Sequence, residues 1–362
     1  MIQRQIIPNA GTERKDMKKY IQIYNSLRRE ITDKKLPAGS KLETETQIAE
    51  RYDISRQTVR QALSLLRQEG FIYSVQGSGS FVAAWEDVIQ SKRIGVLTTY
   101  YSEYIFPEIL RSIGEEVSRN GYTIELNTTN NSIAAEKKVL QMILQKPVAG
   151  LIVEGTKSAL PNPNISYYRQ LSSLGIPIVF INGIYPNLNG SNIISVTMDD
   201  EAGARLIVDG LLSEGYKNIG CILKSDDIQG YHRFSGIIQT LVSRGADYDD
   251  KNFLWYTTET KHSFLLALEG HSIFRECDAI ICYNDEIAEM VAAHLPQIEH
   301  RVKVIVSFDR QISPVTIPRD IGFYSIPHPK GRLGTVAAQK LINMLSGKPE
   351  TSEKMDWRID LG

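Results

Sequence analysis

The residues best suited to contact another molecule lie in one short stretch of chain, SRQTVRQAL at residues 55–63. The apolar residues of the helix predicted here recur at the spacing of one buried face: Val59, Ala62, Leu63 and Leu66. The first turn and the opposite face carry hydrogen-bond donors: Arg56, Gln57, Thr58, Arg60 and Gln61. None of these side chains is acidic, so the face can donate to phosphate oxygens and to base edges.

The segments around this helix complete a possible DNA-reading unit. Ser55 is expected to cap the helix, because its hydroxyl can accept from a free amide of the first turn, and Gly70 is expected to end it. Two β-prone runs, FIYSV and SFVA, follow and are joined by residues 76–79. Helices are predicted upstream at 20–35 and 45–52. This order is typical of a winged helix-turn-helix; an ordinary surface helix followed by a hairpin is the alternative.

At these residues the chain resembles the GntR family of bacterial transcription regulators. The motifs that carry the resemblance are SRxTVRxAL, the strand that follows Glu69-Gly70, and the glycine-rich wing that ends in Phe81-Val82. The resemblance implies contact with operator DNA through Thr44, Ser55, Arg56, Gln57, Thr58, Arg60, Gln76 and Gly77. Many members carry an arginine at the start of the second helix that reads a guanine. This chain has Glu43, Thr44, Glu45 and Thr46 there, so we expect it to read a different operator.

The distribution of charge supports a nucleic-acid partner at one end only. The net charge of the chain is −1, which by itself argues against such a partner. Residues 1–83, however, hold 14 Lys and Arg against 9 Asp and Glu, and the remaining residues hold 27 against 33. A basic head on an acidic body is expected where only the head touches phosphate.

The sequence divides into a tail at 1–16, expected to be mobile, a winged helix-turn-helix at 17–84, a linker at 85–92 and an effector-binding domain at 93–362. No apolar run reaches about 18 residues, and the polar start does not read as a signal peptide. Cys221, Cys277 and Cys282 are odd in number and read as reduced, buried thiols. These features predict a cytoplasmic protein with no membrane partner.

Beyond residue 92 the pattern changes to short apolar runs, each followed by an amphipathic helix. The runs lie at 93–100, 122–129, 149–156 and 176–183, and again at 218–227, 253–258, 279–285, 302–309 and 321–328. Strands without polar alternation are typical of a parallel sheet covered on both faces. Two such sets in series predict an α/β fold of two doubly wound lobes, with ligands beyond the carboxyl ends of the strands.

This second region resembles the periplasmic-binding-protein-like effector domain of the LacI family, on the motifs GLIVEGTKS, PIVFING, QGYHRFSG, CYNDEIA and VSFD. The resemblance implies ligand contact by Arg233, Asn284 and Asp309. Loop ends that face the cleft in the resemblance add Tyr100, Tyr104, Glu154 and His328. Relatives often have GYDD where this chain has Ser307-Phe308-Asp309-Arg310, so the contacts there can differ.

Several polar residues near the cleft also have structural interpretations. Asp285 can touch ligand or cap the following helix, and the two roles are evenly balanced. Asp199 and Asp200 are expected to cap the next helix, and Asn182 can satisfy backbone groups in its own turn. Tyr101 can belong to the core.

An enzyme is not expected. The six histidines form no metal-binding spacing, and neither a GxSxG elbow nor a phosphate loop of the GxxxxGK[ST] type is present, so no cofactor is predicted. A GntR-type head on a LacI-type body is similar to the arabinose-responsive repressors of Gram-positive bacteria. That likeness implies a homodimer that binds double-stranded operator DNA and is released by a sugar, L-arabinose above others. A sugar-binding protein, or a regulator of a different effector, is the alternative.

Overall fold

The computed structural model describes residues 10–33, 35–68, 70–75, 77–83, 91–102, 104–267, 271–311 and 317–357. The fold class predicted from the sequence is confirmed: a small helical head with a hairpin precedes two α/β lobes. Within the described ranges, no helix is both long enough and apolar enough to cross a bilayer.

The head consists of helices α1 (Ala10–Thr32), α2 (Glu45–Tyr52) and α3 (Arg56–Gln68), then strands β1 (Ile72–Val75) and β2 (Gly79–Val82). The strands pair antiparallel, with Ile72 opposite Val82 and Val75 opposite Gly79. One small core joins all three helices to the hairpin, because Leu27, Ile48, Leu66 and Ile72 are almost completely buried. The apolar stripe of α3 predicted from the sequence is therefore the face of this helix that packs on the core of the head.

Helix α1 is longer than the sequence pattern predicted. It begins at Ala10, whereas periodicity placed its start at residue 20 and left residues 1–16 as a tail. Residues 10–19 (AGTERKDMKK) are rich in helix-forming types but carry no apolar stripe, so a search for amphipathic periodicity passes over them. Residues 1–9 lie outside the described ranges.

The first lobe is a six-stranded parallel sheet with the order β13-β7-β6-β5-β3-β4. Its strands are β3 (Arg93–Thr98), β4 (Thr123–Thr128), β5 (Gly150–Glu154), β6 (Ile178–Ile181), β7 (Ile193–Met198) and β13 (Glu353–Met355). Helices α4 (Phe106–Arg119), α5 (Ile133–Gln145) and α6 (Ile165–Ser173) connect them. Strands β5 and β6 are buried along their whole length, which explains their uninterrupted apolar sequence.

The second lobe is a five-stranded parallel sheet with the order β12-β11-β10-β8-β9. Its strands are β8 (Ile219–Lys224), β9 (Phe253–Tyr256), β10 (Ala279–Cys282), β11 (Val304–Asp309) and β12 (Gly322–Pro327). Its helices are α7 (Asp200–Ser213), α8 (Ile228–Ser243), α9 (Lys261–Ala267), α10 (Ser272–Glu276) and α11 (Asp285–His294). The three cysteines are buried in this lobe as free thiols.

The two lobes are not simply consecutive, as the sequence pattern implied. Helix α12 (Lys330–Leu345) follows the last strand of the second lobe but packs on the first, where Gly334 lies against the backbone of Ile109 in α4. Strand β13 then pairs with β7. Periodicity identified α12 as a helix but carries no information on which sheet it covers, and the three residues of β13 form no apolar run.

The head rests on the first lobe. The hydroxyl of Ser173, at the end of α6, donates to the backbone carbonyl of Arg67 in α3 at 3.3 Å. Tyr73 and Ala83 of the hairpin pack into the same apolar cluster as Leu171 of α6. Helix α3 and the first lobe are therefore in direct contact, while residues 84–90, which include most of the predicted linker, lie outside the described ranges.

The close packing of α7 on α8 depends on a glycine. A Cβ atom on Gly236 would lie 2.3 Å from the carbonyl oxygen of Glu201 and 2.8 Å from the Cβ of Ala204. We expect Gly236→Ala to lower the free energy of unfolding by about 1–3 kcal/mol, because the two helices must separate. Urea denaturation of the full-length protein measures this change.

Gly210→Ala is the matched control. Gly210 lies in α7 and is exposed, and a Cβ atom added there would have no neighbouring atom within 4 Å. Alanine there should raise stability by about 0.4–1 kcal/mol through the reduced entropy of the unfolded chain. Equal effects of the two substitutions would contradict the packing role of Gly236.

Candidate functional site

The N-terminal turn of α3 presents the donor-rich face that the sequence indicated. The Ser55 hydroxyl accepts from the amide of Thr58 at 3.2 Å, so Ser55 caps the helix. Arg56 and Arg60 lie one turn apart, with 63% and 67% of their side chains exposed. Gln57 and Gln61 are also exposed. Four hydrogen-bonding side chains therefore face solvent on one side of a fixed helix.

Thr58 does not belong to that surface. It is 3% exposed, and its hydroxyl is 2.8 Å from that of Ser55. Its position three residues after the cap turns it toward the core, so the prediction that it lies on the exposed, donor-rich face of α3 is wrong. The spacing could have shown this, since Thr58 precedes Ala62 of the buried face by four positions and so lies on the same side of the helix. Its contact with operator DNA stays a prediction.

The other predicted DNA contacts have mixed positions. Thr44 caps α2 in a reciprocal arrangement with Gln47, in which each side chain bonds the backbone amide of the other residue. Gly77 is exposed at the tip of the hairpin, and its φ of +77° favours glycine there. Gln76 lies outside the described residues.

A second candidate site is a cavity of about 250 Å³ between the two lobes. It lies at the carboxyl ends of the parallel strands, where Glu154 ends β5, Lys224 ends β8 and Asp309 ends β11. Predicted ligand residues that line it are Tyr100, Tyr104, Glu154, Arg233, Asn284 and Asp309. Its volume is just below the roughly 300–1,000 Å³ of pockets for drug-sized ligands, which suits a smaller molecule.

Arg233 forms the floor of the cavity. It is 1% exposed, donates from Nε to Asp200 at 2.9 Å, and donates from Nη1 to the carbonyl of Tyr283. The guanidinium carbon lies 4.0 Å from the centre of the Phe308 ring and 4.7 Å from that of Tyr283. Burial acts to lower the pKa of Arg233, but the carboxylates of Asp200 and Asp309 outweigh it and raise the pKa above its usual range. Arg233 is thus a fixed positive charge beneath the cavity.

Asp309 and Tyr104 face each other from opposite lobes. The Tyr104 hydroxyl donates to Asp309 Oδ2 at 2.5 Å, while Oδ1 of Asp309 is buried without a hydrogen-bond partner among the described residues. The backbone φ is +58° at Tyr104 and +95° at Asp309, and positive values are uncommon outside glycine. Burial raises the pKa of Asp309, and Arg233 and Tyr104 oppose the rise. Oδ1 of Asp309 can therefore accept a hydrogen bond from a ligand hydroxyl.

Glu154 is oriented by two neighbours in the first lobe. Its Oε2 accepts from the amide and the hydroxyl of Thr99, and its Oε1 accepts from the Asn182 side chain at 3.0 Å. Asn182 therefore holds a carboxylate in place rather than satisfying its own turn. Burial raises the pKa of Glu154, against the opposing effect of these hydrogen bonds.

Lys224 and Asp227, which the sequence analysis did not predict as ligand residues, also line the cavity. The ammonium nitrogen of Lys224 is 3.6 Å from Asp227 Oδ2, and the hydroxyls of Ser158 and Tyr283 donate to the same carboxylate, each at 2.8 Å. Burial acts to raise the pKa of Asp227, but Lys224 and these donors outweigh it and lower the pKa. The sequence could have indicated Lys224, because it ends an apolar strand and ligands bind at the carboxyl ends of the strands in parallel sheets.

Asp200 is a third residue of the site, and the sequence analysis assigned it a different role. Asp199 caps α7, as predicted, by accepting from the amide of Ala202 at 3.0 Å. Asp200 instead turns inward to Arg233. Two adjacent acidic residues at a helix start cannot be told apart by sequence alone, since only one of them can occupy the capping position.

Two predicted ligand residues lie away from the cavity lining. Asp285 is fully buried and accepts from the hydroxyls of Ser307 and Ser325 and from the amide of Gln311. It therefore braces the end of β11, and Asn284 caps α11 in its place. His328 is buried against Trp357, with ring centres 5.4 Å apart. Tyr101, which the sequence allowed in the core, is 57% exposed.

The cavity combines fixed acceptors, fixed donors and aromatic faces in a small space. Carboxylates, an ammonium and a guanidinium can pair with groups that both donate and accept, and hydroxyls on neighbouring carbon atoms meet that need. Tyr100, Phe106, Tyr256 and Tyr283 provide apolar surface for the faces of a ring. Among the described residues, no cluster of His, Cys, Asp and Glu could hold a metal ion.

Comparison with known proteins agrees with this division of the chain. Residues 19–82 match the bacterial regulatory proteins of the gntR family, and residues 91–343 match the periplasmic binding proteins and sugar binding domain of the LacI family. The arabinose metabolism transcriptional repressor of Geobacillus stearothermophilus is 35% identical over 341 residues, 91% of this chain and 92% of the relative.

A second relative and a solved structure extend the comparison. The arabinose metabolism transcriptional repressor of Halalkalibacterium halodurans is 36% identical over 340 residues, covering 89% of each chain. The structure of the transcriptional regulator CelR in complex with cellobiose superimposes with a TM-score of 0.65 at 17% identity, over 84% of this chain and 88% of that one. At that identity the likeness concerns the fold alone.

His328 should make stability depend on pH. Burial, together with the charges of Arg233 and Lys330, lowers the pKa of His328 to about 3. The unfolded chain takes up this proton near the ordinary value of about 6.5, so the free energy of unfolding falls as the pH drops below that value. Between about pH 7.5 and 5.5 the residue accounts for a loss of about 1 kcal/mol.

His328→Gln should remove this part of the pH dependence, whatever its effect at neutral pH. Urea denaturation at the two pH values measures the difference. His232→Gln, at a histidine with 47% of its side chain exposed, is the control. An unchanged pH dependence in His328→Gln would contradict the burial argument.

Proposed function

The chain belongs to the LacI-type family of periplasmic binding proteins and sugar-binding domains and carries a gntR-family head, and from this premise we propose that L-arabinose is the effector that releases it from operator DNA. The protein is a sugar-responsive transcriptional repressor. The observation that carries the proposal is the polar, ring-lined cavity between the lobes, on a chain whose recognition helix presents donors to solvent.

The choice of L-arabinose rests on two lines of support. Two relatives that share over a third of their residues across nine-tenths of the chain are named as repressors of arabinose metabolism. A pentose also suits a cavity of about 250 Å³. We propose that Arg233, Asp309, Glu154 and Asn284 grip its hydroxyls, with Lys224 and Asp227 as further partners.

On the DNA side, we propose that Arg56, Gln57 and Arg60 reach base edges or phosphates in the major groove, while the hairpin tip at Gly77 touches the backbone. Arginine reads guanine through two parallel hydrogen bonds, and glutamine can read adenine in the same way. The exposure of all three side chains supports this assignment.

We further propose that the protein acts as a homodimer on a pseudo-palindromic operator. An aromatic ladder runs along β9, the edge strand of the second lobe, where Tyr231 packs on Trp255 with ring centres 5.4 Å apart. Tyr231, Val242 and Tyr248 of this region are 46%, 57% and 51% exposed. A second copy of the chain would cover this apolar surface, and one reading head in each copy would match a two-fold operator.

Coupling between the two sites follows from lobe movement. Tyr104, Ser158 and Lys157 of the first lobe already bond Asp309, Asp227 and Glu259 of the second, so a bound sugar can fix the angle between the lobes. By linkage, a sugar that weakens DNA binding must itself bind the DNA-bound form more weakly by the same factor. The coupling free energy that corresponds to this factor is typically about 1–3 kcal/mol. The segment 84–92 and the contact of Ser173 with Arg67 are two candidate connections through which lobe movement can reach the head.

We propose a regulator without catalytic activity, located in the cytoplasm, where its operator is. A different small effector is the second candidate, favoured by the departure of Ser307-Phe308-Asp309-Arg310 from the pattern common in LacI relatives.

The recognition helix can be tested by removing one arginine at a time. Arg56→Ala and Arg60→Ala should each weaken binding by about five-fold to a hundred-fold, because each removes donors to base edges. The probe is a duplex that the full-length wild-type protein enriches from a random pool, titrated in gel shifts at fixed salt. Arg111→Ala, an equally exposed arginine of the first lobe, should bind as wild type. Unchanged affinity in both variants would overturn the assignment.

The cavity can be tested with Asp309→Asn, which keeps the shape of the side chain and removes its charge. We expect it to weaken L-arabinose binding by about ten-fold to a hundred-fold and to leave DNA affinity without sugar unchanged. Calorimetry measures the first quantity and gel shift the second. Arg233→Ala is a poorer probe, since it leaves Asp200 buried without its partner.

Asp209→Asn, at a partly exposed carboxylate of α7 that pairs with Arg244, is the matched control and should bind and release normally. In the wild type, saturating L-arabinose should lower operator affinity. Equal affinity with and without L-arabinose would overturn it as the effector. Undiminished sugar binding by Asp309→Asn would remove that residue from the site.

A further inference from the structure

A carboxylate stands beside the two exposed arginines of the recognition helix. Glu45 is the first residue of α2, and its Oε1 and Oε2 accept from Arg60 Nε at 3.1 Å and Nη2 at 2.8 Å. The Nη2 of Arg56 lies 3.9 Å from the same Oε2. One acidic side chain from a neighbouring helix therefore contacts both arginines of the face proposed to read DNA.

The position of Glu45 is fixed by its own helix. Thr44 and Gln47 form the reciprocal cap described above, and Ile48 is completely buried in the core of the head. The amide of Ile54 donates to the carbonyl of Ala49 at 3.0 Å, which ties the turn between α2 and α3 to α2. The carboxylate is thus held on a rigid support at a set distance from α3.

The geometry of the pair leaves Arg60 free to read a base. A guanidinium has five N–H donors, and Glu45 uses the one on Nε and one on Nη2. The edge formed by Nη1 and Nη2 keeps its outward donors, and that edge matches the O6 and N7 acceptors of guanine. A carboxylate on one edge therefore fixes the direction in which the other edge points, at no loss of the donors that recognition needs.

The same carboxylate disfavours a competing contact. An arginine on a long, flexible side chain binds any phosphate within reach, and such contacts carry no sequence information. Glu45 compensates part of the positive charge on this face and repels phosphate oxygens from it. Its pKa is lowered, first by the hydrogen bond from Arg60 and then by the nearby arginine charges, with partial burial opposing, so it is ionised at neutral pH.

We propose that Glu45 is a positioning residue that sets the sequence specificity of this protein: it aims Arg60, and with it Arg56, at base edges and away from phosphates. The proposal rests on the DNA-reading role of α3 proposed above.

The test is Glu45→Gln in the full-length protein, compared with Glu43→Gln. Glu43 is a matched control, because it pairs with Arg51 at 3.0 Å on the same head and, among the described residues, forms no hydrogen bond or ion pair with α3. Two duplexes of equal length are titrated over a range of salt concentrations: one enriched by the wild-type protein from a random pool, and one with the same bases in scrambled order.

We expect Glu45→Gln to lower the ratio of specific to non-specific affinity about ten-fold, mostly by weaker binding of the enriched duplex. Affinity for the scrambled duplex should rise, with a salt slope steeper by about one, because the freed arginine gains a phosphate contact. Glu45→Asp should recover part of the ratio, and Glu43→Gln should match the wild type. A ratio within two-fold of wild type in Glu45→Gln overturns the proposal.

A double-mutant cycle separates positioning from simple support of the fold. If Glu45 acts through Arg60, Glu45→Gln should change specificity little when Arg60 is already alanine, whereas an independent effect would add in full and overturn the proposal. Thermal unfolding of each variant shows whether the head stays folded. Wild-type affinity in Arg60→Ala and Arg56→Ala would refute the role of α3 itself; weakened binding there with an unchanged ratio in Glu45→Gln would refute only the role of Glu45.

Discussion

The effector domain depends on one buried charge. The guanidinium of Arg233 lies in the interior of the second lobe, where an unpaired ion would cost several kcal/mol, and its neighbours compensate it from every side. Asp200 comes from the start of α7, and the carbonyl of Tyr283 comes from the residue that follows β10. The ring of Phe308 comes from β11, and that of Trp357 from the segment just after β13, the strand that returns to the first lobe. Removing one partner of such a pair costs about 3–5 kcal/mol, so these elements have little freedom to rearrange independently.

The charge of Arg233 also sets the chemistry of the groups around it. It offsets part of the effect of burial on Asp309, and together with burial it keeps the imidazole of His328 neutral. The cavity above therefore holds a fixed cation, an acceptor with one unused oxygen, and aromatic walls before any ligand arrives. A preformed site of this kind spends little binding energy on ordering its own side chains, which favours tight binding of a small polar molecule.

Much of this architecture is readable from the sequence, and the exceptions share a cause. Buried parallel strands leave uninterrupted apolar runs, and a recognition helix leaves an apolar stripe beside a donor-rich face; both are local patterns. The fold class, the α3 stripe, the Ser55 cap and the strand ends at Glu154 and Asp309 were therefore predictable. The bracing role of Asp285 and the pairing of Asp200 with Arg233 depend on contacts between residues that are distant in sequence or on which neighbour takes the cap. No periodicity encodes those contacts, nor the return of α12 and β13 to the first lobe.

The chain uses the same chemical pair, a carboxylate and an arginine, in two opposite ways. Asp200 and Arg233 are both about 2% exposed in their side chains, so water cannot replace either partner and the pair is a permanent part of the fold. Glu45 and Arg60 have 30% and 67% of their side chains exposed, and an ion pair in water contributes little to stability. The first pair can therefore hold a ligand site in shape, whereas the second can open toward another partner at small cost. Burial alone decides which of the two pairs is scaffold and which is available for recognition, and the exposed pair lies on the face that meets DNA in the proposed function.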